Sequence, residues 1–470
     1  MNIRNKTFKK ISIGIFIYGS ILAILLYNST KPTVQVYYNE YLILLFSYLV
    51  VGLIMFYTII KYKIDVFQPF ILISILYLFI FTITPMVFII QENTQAHGVD
   101  IMDGCIKATI IYMISYIAFS SGYILKKFSF NSSKFNNEFK LSRLERKYIL
   151  IISYLIWIVS YFCSAIYMIS IGRGIVYMLT FGAGGTVKES LGGGGLAFIS
   201  NFSYCMIIPL IYIIFFSKSK LIKFTLLYIT LSFYISRGFR FIIVILIGSI
   251  IISWYRKRRT KPSVTTIAVL ILSFLLFIAA LGYARRDLKN GNDVDWSSFG
   301  IENITYALES NFDIYKPFYG IVSKYPSEFS YTYGRALIGE TITMFVPRAI
   351  WPNKPLAENS SVLMAIRRSV SDFAVLNAGM AVPNIAEFYI DFGIIGCIIL
   401  MFIFGYIAKY ITKYYFVPNN NIHYIILYSV IMPTFMQLVI RGYMPSNFYL
   451  VLFLIMPSVL IRYLVKVINR

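Results

Sequence analysis

KFTLLYITLSFYISRGFRFIIVILIGSIIISWYRKRR, residues 223–259, sets two apolar arms on either side of Arg237-Gly238-Phe239-Arg240. Both ends are basic: Lys218, Lys220 and Lys223 lead into the first arm, and Arg256–Arg259 close the second. Positive charge collects on the cytoplasmic side of membrane helices. Both ends are therefore expected inside, and arms 224–236 and 241–255 should form a helical hairpin with its tip pointing outward. The arms are short for full crossings, so the tip sits at the outer boundary or within the hydrocarbon. An arginine near the bilayer centre costs about 2.5–3.5 kcal/mol on insertion scales, so it needs a partner or a wet cavity. Snorkelling to the outer surface is one solution for Arg237 and Arg240. Capture of an anion is another, because guanidinium forks match phosphate geometry.

The same greasy pattern runs through the whole chain. Of 470 residues, 58% are hydrophobic and 13% charged, and the mean hydropathy is +0.72. Apolar runs lie near 11–27, 41–60, 66–90, 104–125, 148–171, 196–216, 224–236, 241–255, 264–283, 393–408, 423–440 and 448–464. They predict an all-α polytopic membrane protein of about twelve transmembrane helices. Three regions follow: an N-terminal bundle of about nine helices over 1–283, a large extracytoplasmic loop with short helices over 284–386, and C-terminal helices over 387–470. The first run has no small-residue cleavage site and is expected to stay as a span.

The net charge of +23 has the same origin. With both termini cytoplasmic, the inner segments hold most of the lysines and arginines, densest at 126–147 and 256–261. Their only acids are Asp65, Glu138 and Glu145. Charge asymmetry of this kind is the positive-inside pattern, and it accounts for the basicity without nucleic acid as a partner. Cys105, Cys163, Cys205 and Cys397 fall in or at the edge of apolar runs and have no metal spacing. His97 and His423 fall at opposite faces, so no metal site is expected.

The loop 284–386 contains ten basic and ten acidic residues, half of all the acids in the chain. A connection of that length is expected to do more than join two spans. Within it, Phe299, Ile304, Leu308, Phe312 and Tyr315 have the spacing of an amphipathic helix over 296–319, lying on the bundle or the membrane surface. Earlier in the chain, GAGGTVKESLGGGG (182–195) has no preceding strand and no Gly-Lys-Ser/Thr ending, so it is not a P-loop. A mobile lid and a slack linker are both open for it.

Two more stretches carry polar chemistry. FVPRAIWPNKP (345–355) fixes Arg348 and Lys354 on a backbone stiffened by Pro347, Pro352 and Pro355. AVPNIAEFYIDFGIIG (381–396) places Glu387 and Asp391 four residues apart, on one face if helical. Glu387 is a candidate general base or a counter-charge for the cations. Arg441, in LVIRGYMPSNF, adds a cation at another outer helix end. The outer face is thus expected to gather Arg237, Arg240, Arg348, Lys354 and Arg441 with Glu387 and Asp391, a cavity suited to a lipid pyrophosphate headgroup.

ISRGFRF, FVPRAIWPNKP and PNIAEFYIDFGIIG, in this order around a large outer loop, resemble the oligosaccharide repeat unit polymerases, the Wzy-type O-antigen and capsule polymerases of bacteria. The resemblance covers about 225–400 in detail, and the rest as a hydrophobic bundle. It implies a glycosyltransferase of the bacterial inner membrane with the GT-C-like architecture of lipid-linked-donor enzymes. It would need no nucleotide sugar, cofactor or metal. Its substrates would be undecaprenyl-pyrophosphate-linked oligosaccharides among membrane lipids, with a chain-length regulator as a further partner. Carried over by motif, Glu387, Arg237 and Arg240 would be catalytic, and Arg348 and Lys354 would bind substrate; Arg441 and Asp391 join the expected substrate-binding set from their charge and position alone. Two rivals are an O-antigen ligase and a flippase of the same lipid-linked sugar. A ligase is expected to use a histidine in the large outer loop, and 284–386 has none. A transporter tends to show internal repeats and mid-membrane polar groups, neither of which is visible here.

Overall fold

The computed structural model describes residues 32–91, 99–125, 141–179, 198–237, 240–258, 314–344, 381–415 and 422–468 almost continuously, with scattered positions between them. Among these residues, eight helices are long and apolar enough to cross a membrane. Five come first: α1 (Tyr38–Tyr62), α2 (Pro69–Ile90), α3 (Met102–Leu125), α4 (Arg143–Ser170) and α5 (Ile199–Phe216). The hairpin follows as α6 (Lys220–Ser236) and α7 (Arg240–Arg258). The long segment between α7 and α10 contributes α8 (Tyr315–Lys324), a π-helical turn at Arg335–Gly339, and the short α9 (Glu340–Thr343). The last three spans are α10 (Asn384–Tyr415), α11 (Ile422–Ile440) and α12 (Met444–Ile468). Gln95–Ala96 and Val99–Asp100 pair as two-residue antiparallel strands; the rest is helix and connection.

The expected hairpin is present, but its arms fall outside the set of full-length apolar spans. At 1.5 Å per residue the 17 residues of α6 reach only about 26 Å. α7 has 19 residues but begins at Arg240 and ends in Arg256, Lys257 and Arg258. Most of the expected spans at 11–27 and 264–283 lies outside the described residues, as does 182–195.

The two ends of the bundle differ chemically. Ser142 and Glu145 form a reciprocal capping box that starts α4. At that end Lys257 lies within electrostatic range of Lys223 and Arg146. His423 accepts or donates a hydrogen bond with the Tyr212 hydroxyl at 2.6 Å. The hairpin tip, the α11–α12 turn and the start of α10 lie together elsewhere, as described below.

Among the described residues two large apolar cores organise the helices. One gathers α1, α2, α3, α8 and α10; the other gathers α4, α5, α6, α7 and α12, and α11 contributes to both. α3 and α10 make the most extensive helix contact among the described residues. It depends on reciprocal glycines: a Cβ on Gly122 would meet the Phe402 carbonyl oxygen at 2.0 Å, and one on Gly405 the Phe119 carbonyl oxygen at 2.1 Å. Small residues at a membrane crossing let two backbones approach this closely.

Of the amphipathic helix expected over 296–319, residues 296–299 and 301–313 lie outside the described residues. Its last part takes the first of the two expected places, on the bundle. Tyr315 through Val322 are all buried in α8, against α3 and α10 rather than on a lipid surface. Phe318, Tyr319, Ile321 and Val322 fall on one side of the helix and give it an apolar stripe to bury. Lys107 fixes its end by donating from Nζ to the carbonyls of Val322 and Tyr325 at 3.2 and 3.1 Å.

Candidate functional site

The site is built where three chain turns meet. The first is the start of α10. Asn384 Oδ1 accepts from the buried Tyr77 hydroxyl at 2.9 Å and from the Ile385 amide at 3.0 Å, which fixes the first helical turn. Glu387 lies in that turn and is only 1% exposed. A carboxylate near a helix N-terminus is favoured by the helix dipole.

The second is the α11–α12 turn, Arg441-Gly442-Tyr443. Its Gly442 amide donates to the Val382 carbonyl at 2.7 Å. Gly442 also presses directly on Asn384 and on Glu387 Cγ. Asn447 Nδ2 holds the turn from the other side, donating to the Arg441 carbonyl at 2.6 Å. The Tyr443 hydroxyl donates to the Glu340 carboxylate, and Glu387 lies within electrostatic range of it. Burial and these two carboxylates push the Tyr443 pKa well up, so the phenol keeps its proton.

The third is the hairpin tip. Arg237 donates from Nη1 to the Ser200 carbonyl at 2.9 Å and to Ser203 Oγ at 2.6 Å, both on α5. Its guanidinium stands 5.9 Å from the Tyr167 ring centroid. Arg441 is exposed, and its guanidinium carbon lies 5.9 Å from the Phe241 centroid, at the start of α7. The Tyr204 hydroxyl is within electrostatic range of both Arg237 and Arg441. The fold therefore brings Arg237, Arg441 and Glu387 into one neighbourhood.

Asp391 shares a helix with Glu387 but faces a different partner. Its carboxylate accepts from the Thr332 hydroxyl, from the Ala336 amide at 3.1 Å and from the Leu337 amide at 2.9 Å. It caps the π-helical turn at Arg335–Gly339. Backbone bonds from Thr332 to Ile390 and from Tyr333 to Asp391 run alongside. Two residues on, Gly393 breaks the helix with φ 61° and ψ −149°, beneath the Tyr331 ring. Asp391 thus fastens the segment that carries Glu340.

Of the remaining sequence-derived residues, Arg240 begins α7, and its side chain lies outside the described residues, as do Arg348 and Lys354. Sequence reasoning missed Glu340, Tyr443 and Tyr204. Glu340 meets Tyr443 across more than a hundred residues of chain, so no local spacing signals the contact. Among the described residues no group of three His, Cys, Asp or Glu is placed to hold a metal ion.

No curated protein and no solved structure matches the chain. The sequence model of the O-antigen polysaccharide polymerase Wzy family does match, over residues 10–470. The chain is a multi-pass membrane protein that belongs to that family, whose work is the glycosyltransferase-type polymerisation of O-antigen from lipid-linked oligosaccharides.

Proposed function

We propose that the chain joins oligosaccharide repeat units carried on undecaprenyl pyrophosphate, at the periplasmic face of the bacterial inner membrane. The supporting observation is that Arg441 and Glu387 are joined by one tight turn, with Arg237 and Arg441 both within electrostatic range of the Tyr204 hydroxyl. In the reaction an acceptor hydroxyl oxygen attacks the anomeric carbon of the growing chain. The bond from that carbon to the diphosphate oxygen breaks, and undecaprenyl diphosphate leaves with the electron pair. The hydroxyl proton passes to the Glu387 carboxylate. Negative charge grows on the leaving oxygen, so Arg237 and Arg441 stabilise the transition state more than the ground state. Asp391 serves by fastening the outer loop, and Arg240, Arg348 and Lys354 are further candidates for the anion.

Deleting the gene and resolving the surface polysaccharide on a gel tests this directly. Loss of a polymerase leaves single repeat units attached. No attached repeat units would indicate a flippase, and polymer retained on carrier lipid a ligase.

A further inference from the structure

The sequence around Arg173 looks like an ordinary outer connection, yet the fold holds this arginine in place. α4 ends with Gly172 at φ 81°. The Gly172 amide donates to the Ile169 carbonyl at 2.9 Å, and the Arg173 amide to the Met168 carbonyl at 2.9 Å. That pair of bonds is a Schellman cap, which sets the direction in which the next residue leaves the helix. Arg173 leaves toward the hairpin tip. Its Nη1 donates to the Ser236 carbonyl at 3.4 Å, one residue before Arg237. The guanidinium carbon lies 5.3 Å from the Tyr177 ring centroid. Its Nε is buried and has no hydrogen-bond partner among the described residues.

Two arginines from different helices are thus held side by side, close enough to repel each other. Arg441 and Arg237 both lie within electrostatic range of the Tyr204 hydroxyl. A buried guanidinium nitrogen without an acceptor is costly, and like charges add to that cost. An oxyanion would offset both, and two guanidinium forks match the two adjacent phosphoryl groups of a diphosphate.

We infer that Arg173 is a diphosphate-binding residue, forming with Arg237 a two-arginine site for the diphosphate of a prenyl-linked substrate. This rests on the polymerase proposal above and adds the group that recognises the carrier.

The test is binding of a short prenyl diphosphate, such as farnesyl diphosphate, to the purified full chain in lipid nanodiscs, with inorganic pyrophosphate and phosphatidylglycerol as competitors. Arg173→Gln keeps an amide donor for the Ser236 carbonyl and removes the charge. The parent should bind, and pyrophosphate should compete. Arg173→Gln should weaken binding about tenfold to hundredfold with an unchanged melting temperature. Parental affinity in a folded Arg173→Gln overturns the role of Arg173 and leaves the polymerase proposal standing. Failure of the parent to bind prenyl diphosphate overturns both. Competition by phosphatidylglycerol but not by pyrophosphate would make this a site for bulk anionic lipid and overturns the inference. Should Arg173→Gln fail to fold, Arg173→Lys decides: several-fold weaker binding supports the site, and parental binding contradicts it.

Discussion

Gly442 is packed so closely on the start of α10 that a Cβ there would come 2.8 Å from Glu387 Cγ and 2.4 Å from the Asn384 Cα. The backbone of one turn thus sets the position of the carboxylate on another helix. Gly442→Ala must push the α11–α12 turn away from Asn384, and a backbone neighbour yields less than a side chain. Overpacking of this kind typically costs about 1–3 kcal/mol. A lowered melting temperature with loss of polymerisation is expected. A variant as stable and as active as the parent would show that the contact is slack.

Glu387→Gln preserves shape and removes the charge. Chain growth should fall by at least a hundredfold, within the roughly hundredfold to ten-thousandfold contribution of a general base, while the protein still inserts and folds. Lipid-linked repeat units extended to a normal ladder by this variant would leave Glu387 with a packing role.

Tyr443→Phe removes the hydrogen bond to Glu340 without changing volume. Because Glu387 lies beside the same phenol, the effects of Tyr443→Phe and Glu387→Gln on rate should be non-additive by about 0.5–3 kcal/mol in a double-mutant cycle. Strict additivity would mean that Tyr443 and Glu387 act independently.

Asp391 accepts three hydrogen bonds from the segment 332–337, two of them from amides at the start of a helical turn. Asp391→Asn keeps one acceptor oxygen, and weakening such a cap costs about 0.5–2 kcal/mol. Faster amide exchange over 332–344 is expected, together with slower polymerisation. Unchanged exchange with lost activity would place Asp391 against substrate instead.

Topology can be tested on described residues. Ser327, in the outer loop, and Lys220, at the start of α6, are both exposed, whereas Cys105, Cys205 and Cys397 are buried. Ser327→Cys and Lys220→Cys should label from opposite sides of the membrane, Ser327→Cys from the periplasm. Labelling of both from one side would remove the basis for a periplasmic site.

The sequence was most legible where burial in lipid dictates it. The run at 41–60 becomes Tyr38–Tyr62 and that at 423–440 becomes Ile422–Ile440, because about twenty apolar residues have few alternatives in a bilayer. The start of α10 was less legible. The apolar run begins near 393, but the helix begins at Asn384, since Asp391 is satisfied by the distant loop at 332–337 and Glu387 packs under the α11–α12 turn, contacts that hydropathy does not detect. Of the site, Arg237, Arg441, Glu387 and Asp391 were legible as charges at outer helix ends. Glu340, Tyr443 and Arg173 were not, because their places depend on contacts between turns far apart in the chain.

In the proposed function the hairpin-tip arginine, Arg237, acts on the lipid diphosphate during chain growth. The most direct measurement is in vitro extension of purified undecaprenyl-pyrophosphate-linked repeat units by Arg237→Ala and Arg237→Lys, each shown to be folded. Arg237→Ala should lose about a hundredfold to a thousandfold in rate, the cost of one charge-assisted contact of about 2–4 kcal/mol in a dry site. Arg237→Lys, which keeps the charge but not the planar fork, should fall between it and the parent. Extension by both variants at the parental rate would contradict the account and leave Arg237 as a helix-end anchor to the carbonyl of Ser200 and the hydroxyl of Ser203.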